Sequence, residues 1–396
     1  DDIYYNVIWN NDQKVLALMD NNIDIIGDMI DPAFLGALMS SPEIGIETTP
    51  RNGYGLYTLN CQKYPLNISS FRRAIAFALD KERISSELWD GFSTPQDSVV
   101  PSINQFSIED QLSFHYYDAN VARGNQLLDD AGFLDVDSDG FREAPDGSDF
   151  QIKVETSQGH PVAVGAGDIM AEALQTLGID GVCEPTDFWI YLDAVQNHRD
   201  FDIVFFGTNF IDYGVQWLAT DYGSDYVDVP GFNYPMFEND TYDSWINQLL
   251  HSGNYEDVYD AAIEMQRIIA YECPTIIAYN NLYISAYRTD MFEGFVNDFS
   301  EGVHSWWTNQ KVHLQDGQGG PYGGTLRWFL PQDAGTSNVM LSTNVYDNYI
   351  FEALYDSLLK VDPNGFFVPW LAESHYVENH WDNPDVLDGQ TRKRLY

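Results

Sequence analysis

Asp135, Asp137, Asp139 and Glu143 surround Gly140 in the run Asp135-Val-Asp-Ser-Asp-Gly-Phe-Arg-Glu143, which matches the first nine positions of a calcium-binding loop. Carboxylates at alternate positions, followed by a glycine for the sharp turn, can wrap oxygen ligands around a hard divalent cation. Asp146 falls where such loops prefer a bidentate Glu. A strand pattern rather than a second helix follows, so the ion expected here is a single structural calcium. The bland alternative is a solvated acidic turn. No other cofactor is required, because the sequence holds no Gly-rich phosphate loop, His-Glu-x-x-His or Gly-x-Ser-x-Gly motif. The eight His are scattered, and His375 and His380 are near each other only in a polar tail. Asn67-Ile-Ser69 and Asn239-Asp-Thr241 are glycosylation sequons, which agree with export.

Cys61, Cys183 and Cys273 are far apart and odd in number, which excludes a disulfide framework and zinc-ribbon spacing. They read as small buried residues, with one disulfide left open and no means of choosing its pair. The charge balance of 19 basic against 61 acidic residues gives a net −42, which excludes nucleic acid as a partner and suits water rich in counterions. At 44% hydrophobic and 15% aromatic, 396 residues can bury one or two compact domains. No apolar run is long enough to span a bilayer. Asp1-Asp2-Ile3 lacks the basic and apolar parts of a leader, so any export signal is expected outside this stretch.

The elements that must position these groups follow from periodicity. Val15 to Met19 is helix-like and 22–27 alternates as a short strand. A helix is expected over 71–89 with Ser70 as its N-cap, and another over 118–132 ending on Gly132. From there the pattern becomes strand 150–156, helix 162–177, strand 179–184, helix 187–197 and strand 201–206. This β-α-β-α-β order predicts an α/β lobe with a crevice beyond the carboxyl ends of its strands. A further helix spans 254–270, and 274–288 is extended and Tyr-rich. The Gly-rich stretch 315–323 reads as a linker, followed by a strand at 325–330, a helix near 348–359 and a polar tail from His375.

Phe71-Arg-Arg-Ala-Ile-Ala-Phe-Ala-Leu-Asp-Lys-Glu-Arg-Ile84 resembles the family 5 solute-binding proteins, the oligopeptide, dipeptide and nickel receptors of ABC importers. Ala17-Leu-Met-Asp-Asn-Asn-Ile-Asp-Ile25, Tyr57-Thr-Leu-Asn60, Tyr117-Asp-Ala-Asn-Val-Ala, Leu127-Leu-Asp-Asp-Ala-Gly-Phe133 and Glu272-Cys-Pro-Thr-Ile-Ile-Ala-Tyr279 extend the resemblance over roughly 15–314. It implies a multi-lobed α/β receptor of the periplasmic-binding-protein type that closes on its ligand by hinge bending. Gly324-Thr-Leu-Arg-Trp-Phe-Leu-Pro-Gln-Asp333, Ala353 to Leu359 and Val368 to Ser374 resemble the start of such a receptor. The order is thus the back of one unit followed by the front of another, as in a stretch of a tandem protein, incomplete or permuted. The expected division is a first lobe from 1–55 and 281–314, a second lobe from 56–280, the linker 315–323 and the start of a second unit at 324–396. The 324–374 stretch is expected to fold back onto the first lobe, since an unpaired strand would leave a sheet edge exposed. The final Asp388 to Tyr396 turns basic where the family alternates.

Phe205-Phe-Gly-Thr-Asn-Phe-Ile-Asp-Tyr-Gly214 stands where the family has Trp-x-x-Asp-Tyr. The resemblance implies that Asp212 pairs with the α-ammonium of a peptide through a charge-assisted hydrogen bond. Asn209 replaces the Trp and the downstream Asp-Pro is absent. Tyr54, Tyr57, Phe210, Tyr213, Trp306 and Trp307 are candidates for side-chain pockets, with core packing as the alternative. Asn60 is a candidate for a bond to ligand backbone or to the hinge. The expected function is extracellular or cell-surface capture of a peptide or other small solute for a membrane permease, with no catalysis. Two alternatives are a surface module that binds nothing and a secreted hydrolase using paired carboxylates, for which no acid-base pair can be named. Nickel has little support from the scattered His.

Overall fold

The computed structural model describes residues 2–379 and 391–395, apart from 9, 28, 29, 31, 211, 300, 331, 332, 343 and 344. His380 lies outside the described residues, as does most of the basic tail's approach. Thr391–Leu395 pairs antiparallel with His375–Asn379 as a separate two-stranded sheet.

Thr275–Arg288 forms one strand of 14 residues, which at about 3.3 Å per residue reaches roughly 45 Å. Its first part pairs antiparallel with Gly53–Leu59, and its last part with Ile44–Pro50 and Ile25–Ile26. One strand therefore runs through both halves of a ten-stranded sheet, with 44–59 alongside it. Across the sheet the order is Asp2–Val7, Thr325–Leu330, Ile25–Ile26, Thr275–Arg288, Gly53–Leu59, Ile203–Asn209, Gln151–Ser157 and Asp180–Thr186.

The α/β order expected over 150–206 is the one observed. Gln151–Ser157 pairs parallel with both Asp180–Thr186 and Ile203–Asn209, and the latter then pairs antiparallel with Gly53–Leu59. Pro161–Thr176 starts with its proline at a position that lacks an N–H partner anyway. It packs Ile169, Met170 and Leu174 on one face of the sheet with Phe71, Ile75 and Leu128. On the opposite face Trp217–Tyr222, Asp240–His251 and Tyr255–Glu272 bury Leu218, Tyr242, Ala262 and Met265.

The single helix expected over 71–89 is two, Ser69–Ala78 and Lys81–Trp89. Leu79 is extended (ψ 125°), and Asp80 accepts the Arg83 N–H at 2.9 Å, restarting the helix with its own cap. Ser70 is not the N-cap, since the helix starts from extended Ile68 with no side-chain cap. The next helix starts three residues later than expected, at Val121, because Asn120 supplies the cap, and Gly132 follows it at φ +87°. The helix expected over 187–197 ends at Asp193 and continues as a wider turn to His198.

Thr325–Leu330 lies between Asp2–Val7 and Ile25–Ile26, parallel to both, in register Asp2↔Thr325 through Val7↔Leu330 and Trp328↔Ile25. Trp328, Phe329 and Leu330 are buried there. Arg327 closes on fully buried Asp24, with Nε 2.9 Å from Oδ2 and Nη2 2.5 Å from Oδ1. The Gly-rich stretch before it is a set of turns pinned by Gln315, whose N–H donates to Met291 O at 3.1 Å. Gly319, Gly323 and Gly324 take left-handed φ between +91° and +94°, which side-chain-bearing residues resist.

Candidate functional site

The two crossing strands are locked at one point. Arg51, buried where 44–50 gives way to 53–59, donates from Nη1 to Asn281 Oδ1 (2.8 Å), from Nη2 to Thr208 O (3.0 Å) and from Nε to Asn209 Oδ1 (2.5 Å). Asn280 returns Nδ2 bonds to the carbonyls of Arg51 (3.0 Å) and Gly53 (2.6 Å). A guanidinium with planar, fixed donors suits this junction, where two strands present three acceptors in different directions.

The candidate turn leaves from this lock. Gly53 pairs with Asn209 at the end of the strand, and the chain then turns through 210–214. The Phe210 N–H donates to Asn52 O at 2.7 Å, and Asn52 Nδ2 donates to the carbonyls of Phe210 (2.8 Å) and Asp212 (2.9 Å). Asp212 Oδ1 accepts the Gly214 N–H at 2.7 Å, so its carboxylate is held by its own turn while remaining partly exposed. No cation lies within ion-pair distance of it among the described residues. A carboxylate fixed this way and left without a counter-ion can accept charge-assisted bonds from an incoming cation.

The aromatic candidates separate into groups. Phe210 stacks on Trp217 at 4.4 Å, and Tyr213 packs on Phe299 at 4.7 Å beside the turn. Burial and nearby Asp298 push the Tyr213 phenol above its ordinary range, so it stays a neutral donor. Trp306 and Trp307 stack edge-on with Trp370, and their ring N–H groups donate to Glu352 O and Val361 O, both at 2.9 Å. They therefore grip the 345–370 segment. Tyr54 and Tyr57 are interior: their hydroxyls donate to Val99 O and Ala166 O, both at 2.7 Å, from opposite faces of the sheet. Asn60 sits at the other end of Gly53–Leu59, about 20 Å from Gly53 at the rise of a strand, and bonds Arg199 O and Phe201 O at 3.1 Å. These three side chains are spent inside the fold. Asn209, which stands in the place of the family's Trp, uses its oxygen on Arg51 and its Nδ2 on Tyr283 Oη at 2.6 Å.

Sequence reasoning missed Arg51, Asn52, Asn280, Asn281 and Phe299. The only local signal was the polar break Arg51-Asn52 between two strand patterns.

The acidic loop brings Asp135, Asp137, Asp139 and Glu143 together, with one ligand oxygen of each within 4.8 Å of the others. Asp135 accepts the N–H groups of Ser138 (2.7 Å) and Gly140 (3.2 Å), Asp139 that of Phe141 (2.8 Å), and buried Glu143 that of Val136 (2.7 Å). Gly140 has φ +99°, the sharp turn expected of it. Asp146 does not join them. Its Oδ1 accepts from Ser148 N and Oγ, closing a separate turn after the Leu134↔Glu143 bridge, and those bonds lower its pKa.

A second group, Asp97, Glu109 and His115, is an internal network. Lys81 Nζ is 2.6 Å from Asp97 Oδ1, His115 Nδ1 is 3.0 Å from Asp97 Oδ2, and Glu109 accepts from Asp97 N, Ser98 N and Tyr117 Oη. The three cysteines are free thiols. Burial pushes Cys61 and Cys183 up to about 12 and Cys273 up to about 11, so none is an activated nucleophile.

The crossed α/β sheet has the architecture of a periplasmic-binding-protein fold. Residues 1–230 match the model for the bacterial extracellular solute-binding proteins, family 5, and the chain belongs to that family. Family members are binding proteins of ABC transporters, extracellular or periplasmic, and not enzymes. The chain is similar to the periplasmic oligopeptide-binding protein of an ABC transporter from Thermotoga maritima, with a TM-score of 0.69 at 20% identity over 78% of this chain and 62% of that one. It is similar to the oligopeptide-binding protein AppA from Bacillus subtilis, solved with a nonapeptide (TM-score 0.68, 19% identity, 78% of this chain, 59% of that one). It is also similar to NikA from Brucella suis, solved with Fe(III)-EDTA (TM-score 0.63, 17% identity, 78% and 61%). The chain thus spans less than two thirds of the length of these receptors. Comparison with curated proteins gave no match. No helix among the described residues is long and apolar enough to cross a membrane.

Proposed function

We propose that this chain captures peptides, or other small solutes bearing a free amine, outside the cell for an ABC-type permease. The observation that carries this reading is Asp212: a carboxylate fixed by the Gly214 N–H, on a main chain held by Asn52 at the junction of the crossing strands, partly exposed and lacking a cation among the described residues. Its aromatic neighbours Phe210 and Tyr213 offer apolar surface to the first side chains of the ligand, and Asn209 lies beside them. AppA was solved with a nonapeptide, which favours this ligand class over the metal chelate of NikA, whereas the Thermotoga protein was solved with mannohexaose.

The test is calorimetric titration with a pool of short peptides and the same pool N-acetylated. Binding of the free-amine pool is expected, with acetylation and Asp212→Asn each weakening it by about 2–3 kcal/mol, the scale of a hydrogen bond to a charged group. Equal binding of acetylated peptides overturns the ammonium role. A total lack of ligand response would instead favour the contact-module reading, to which the interior positions of Tyr54 and Tyr57 lend support.

The 135–143 loop supports a structural calcium with Asp135, Asp137, Asp139 and Glu143 as ligands. Bound calcium would offset two of the four carboxylate charges and raise the melting temperature by mass action. A titration with no heat and no thermal shift removes the ion.

A further inference from the structure

On the face of the sheet covered by Trp217–Tyr222, a cavity of about 240 Å³ opens between Gly53–Leu59 and the loop that precedes Asp240. Among the described residues Asp221 is the only charged one in its wall, with Tyr222, Phe232 and Tyr234 around it and Thr58 and Thr275 on the sheet side. The Asp221 carboxylate is 3.1 Å from the Thr220 hydroxyl, and among the described residues no cation reaches ion-pair distance. Burial raises its pKa to about 6, so it carries a poorly solvated charge at neutral pH.

The wall is built rather than incidental. Arg199, which caps the turn ending at His198, is consumed by the carbonyls of Val227 (3.2 Å), Val229 (3.0 Å) and Phe232 (2.9 Å) in this loop. Asn233 is buried and bonds Gly223 O and Phe237 O, both at 2.9 Å. These bonds hold the loop over the cavity, so little ordering remains to oppose binding. Tyr234 accepts from Gln196 Nε2 at 2.7 Å, which fixes its ring.

The chemistry of the lining selects the occupant. An anion is excluded by Asp221. Calcium or magnesium needs six or more oxygens in a tight shell, whereas three aromatic rings line this wall beside a single carboxylate. A carboxylate beside aromatic rings, with hydroxyls opposite, suits a cation that also carries apolar surface. We propose that this cavity binds a small organic cation, an alkylammonium of a few carbons, held by Asp221 against Tyr222 and Tyr234. The site is independent of the one at Asp212.

Calorimetry of the full chain with ethylammonium chloride at pH 8, against sodium and potassium chloride at equal ionic strength, tests this. One saturable site is expected, weakened at least tenfold by Asp221→Asn and unchanged by Asp212→Asn. The wild type provides a second arm that needs no variant. Tyr222 and Tyr234 have raised pKa values and Arg199 stays cationic, so Asp221 is the titrating group in the wall, and affinity should fall roughly tenfold at pH 5. No saturable heat, equal competition by potassium, insensitivity to Asp221→Asn or a flat pH response would each overturn the proposal. Loss of ethylammonium binding in Asp212→Asn alone would also overturn it, by returning the ligand to the Asp212 turn.

Discussion

The side-chain amide of Asn52 donates to the main-chain carbonyl of Asp212 at 2.9 Å, so a buried residue of the strand crossing sets the position of the candidate ligand carboxylate. Asn52→Ala removes this bond and its companion to Phe210. Two buried carbonyls then lose a donor, at a cost of about 1–3 kcal/mol. The expected outcome is a lower melting temperature together with weaker peptide binding in calorimetry. A stability loss with unchanged affinity would show that Asn52 does not position the turn.

Arg327 and Asp24 provide a test of the sheet order. Asp24 is fully buried, and Arg327→Ala leaves its charge unpaired, which should destabilise by about 3 kcal/mol or more in denaturant unfolding. Adding Asp24→Asn should recover part of the loss. An Arg327→Ala variant as stable as the parent would mean that Thr325–Leu330 does not occupy this place.

Gly365 lies in the turn before Phe367–Pro369 with φ +91°, and a Cβ there would come within 2.5 Å of Tyr213 Cε2. Phe299 N–H also donates to Pro363 O at 3.1 Å, tying the same turn to the ring's other neighbour. Gly365→Val should therefore displace the Tyr213 ring and weaken peptide binding severalfold. Calorimetry on Gly365→Val, Tyr213→Ala and the double variant should show effects that fall short of additive.

Where this segment meets Asp298 and Glu301, carboxylates crowd together. Burial, and to a smaller degree Asp298, raises the Glu352 pKa while Lys360 opposes the shift, and burial followed by Glu352 raises that of Glu301 well above the usual range. A carboxyl whose folded pKa exceeds its unfolded value near 4.5 binds its proton more tightly when folded. Its contribution is therefore complete below pH 4.5 and is lost as pH rises through the folded value. Glu352→Gln should raise the melting temperature at neutral pH and flatten its dependence on acidification. A variant whose pH profile overlays the parent's would exclude Glu352 as a source of that dependence.

The α/β order of 150–209 was legible because burial on both sheet faces writes continuous apolar runs such as Ile203 to Phe206 into the sequence. The break at Leu79-Asp80 was also present, as an Asp three residues ahead of Arg83, but the apolar rhythm on either side masked it. The lock around Arg51 was not legible. Its partners are 157 to 230 residues away, and nothing local in Arg51-Asn52 distinguishes a junction from an ordinary polar turn. Tyr54, Tyr57 and Asn60 misled for a related reason: strand alternation says which side a residue faces, not whether that side is covered. Asp146 fitted a spacing rule whose final position this loop does not use, because Glu143 already closes it.

Among the described residues Asp2–Val7 has a single neighbour in the sheet, Thr325–Leu330, about 320 residues further along the chain. During synthesis at roughly 5–20 residues per second, the earlier strand must wait many seconds for that neighbour to emerge. Until then Ile25–Ile26 also has one flank open. The parallel strands on the far side of the sheet come from within 151–209 and can assemble long before. The sheet around Asp2–Val7 is thus completed later than the 151–209 strands, and its open edge needs protection on the ribosome until Thr325–Leu330 emerges.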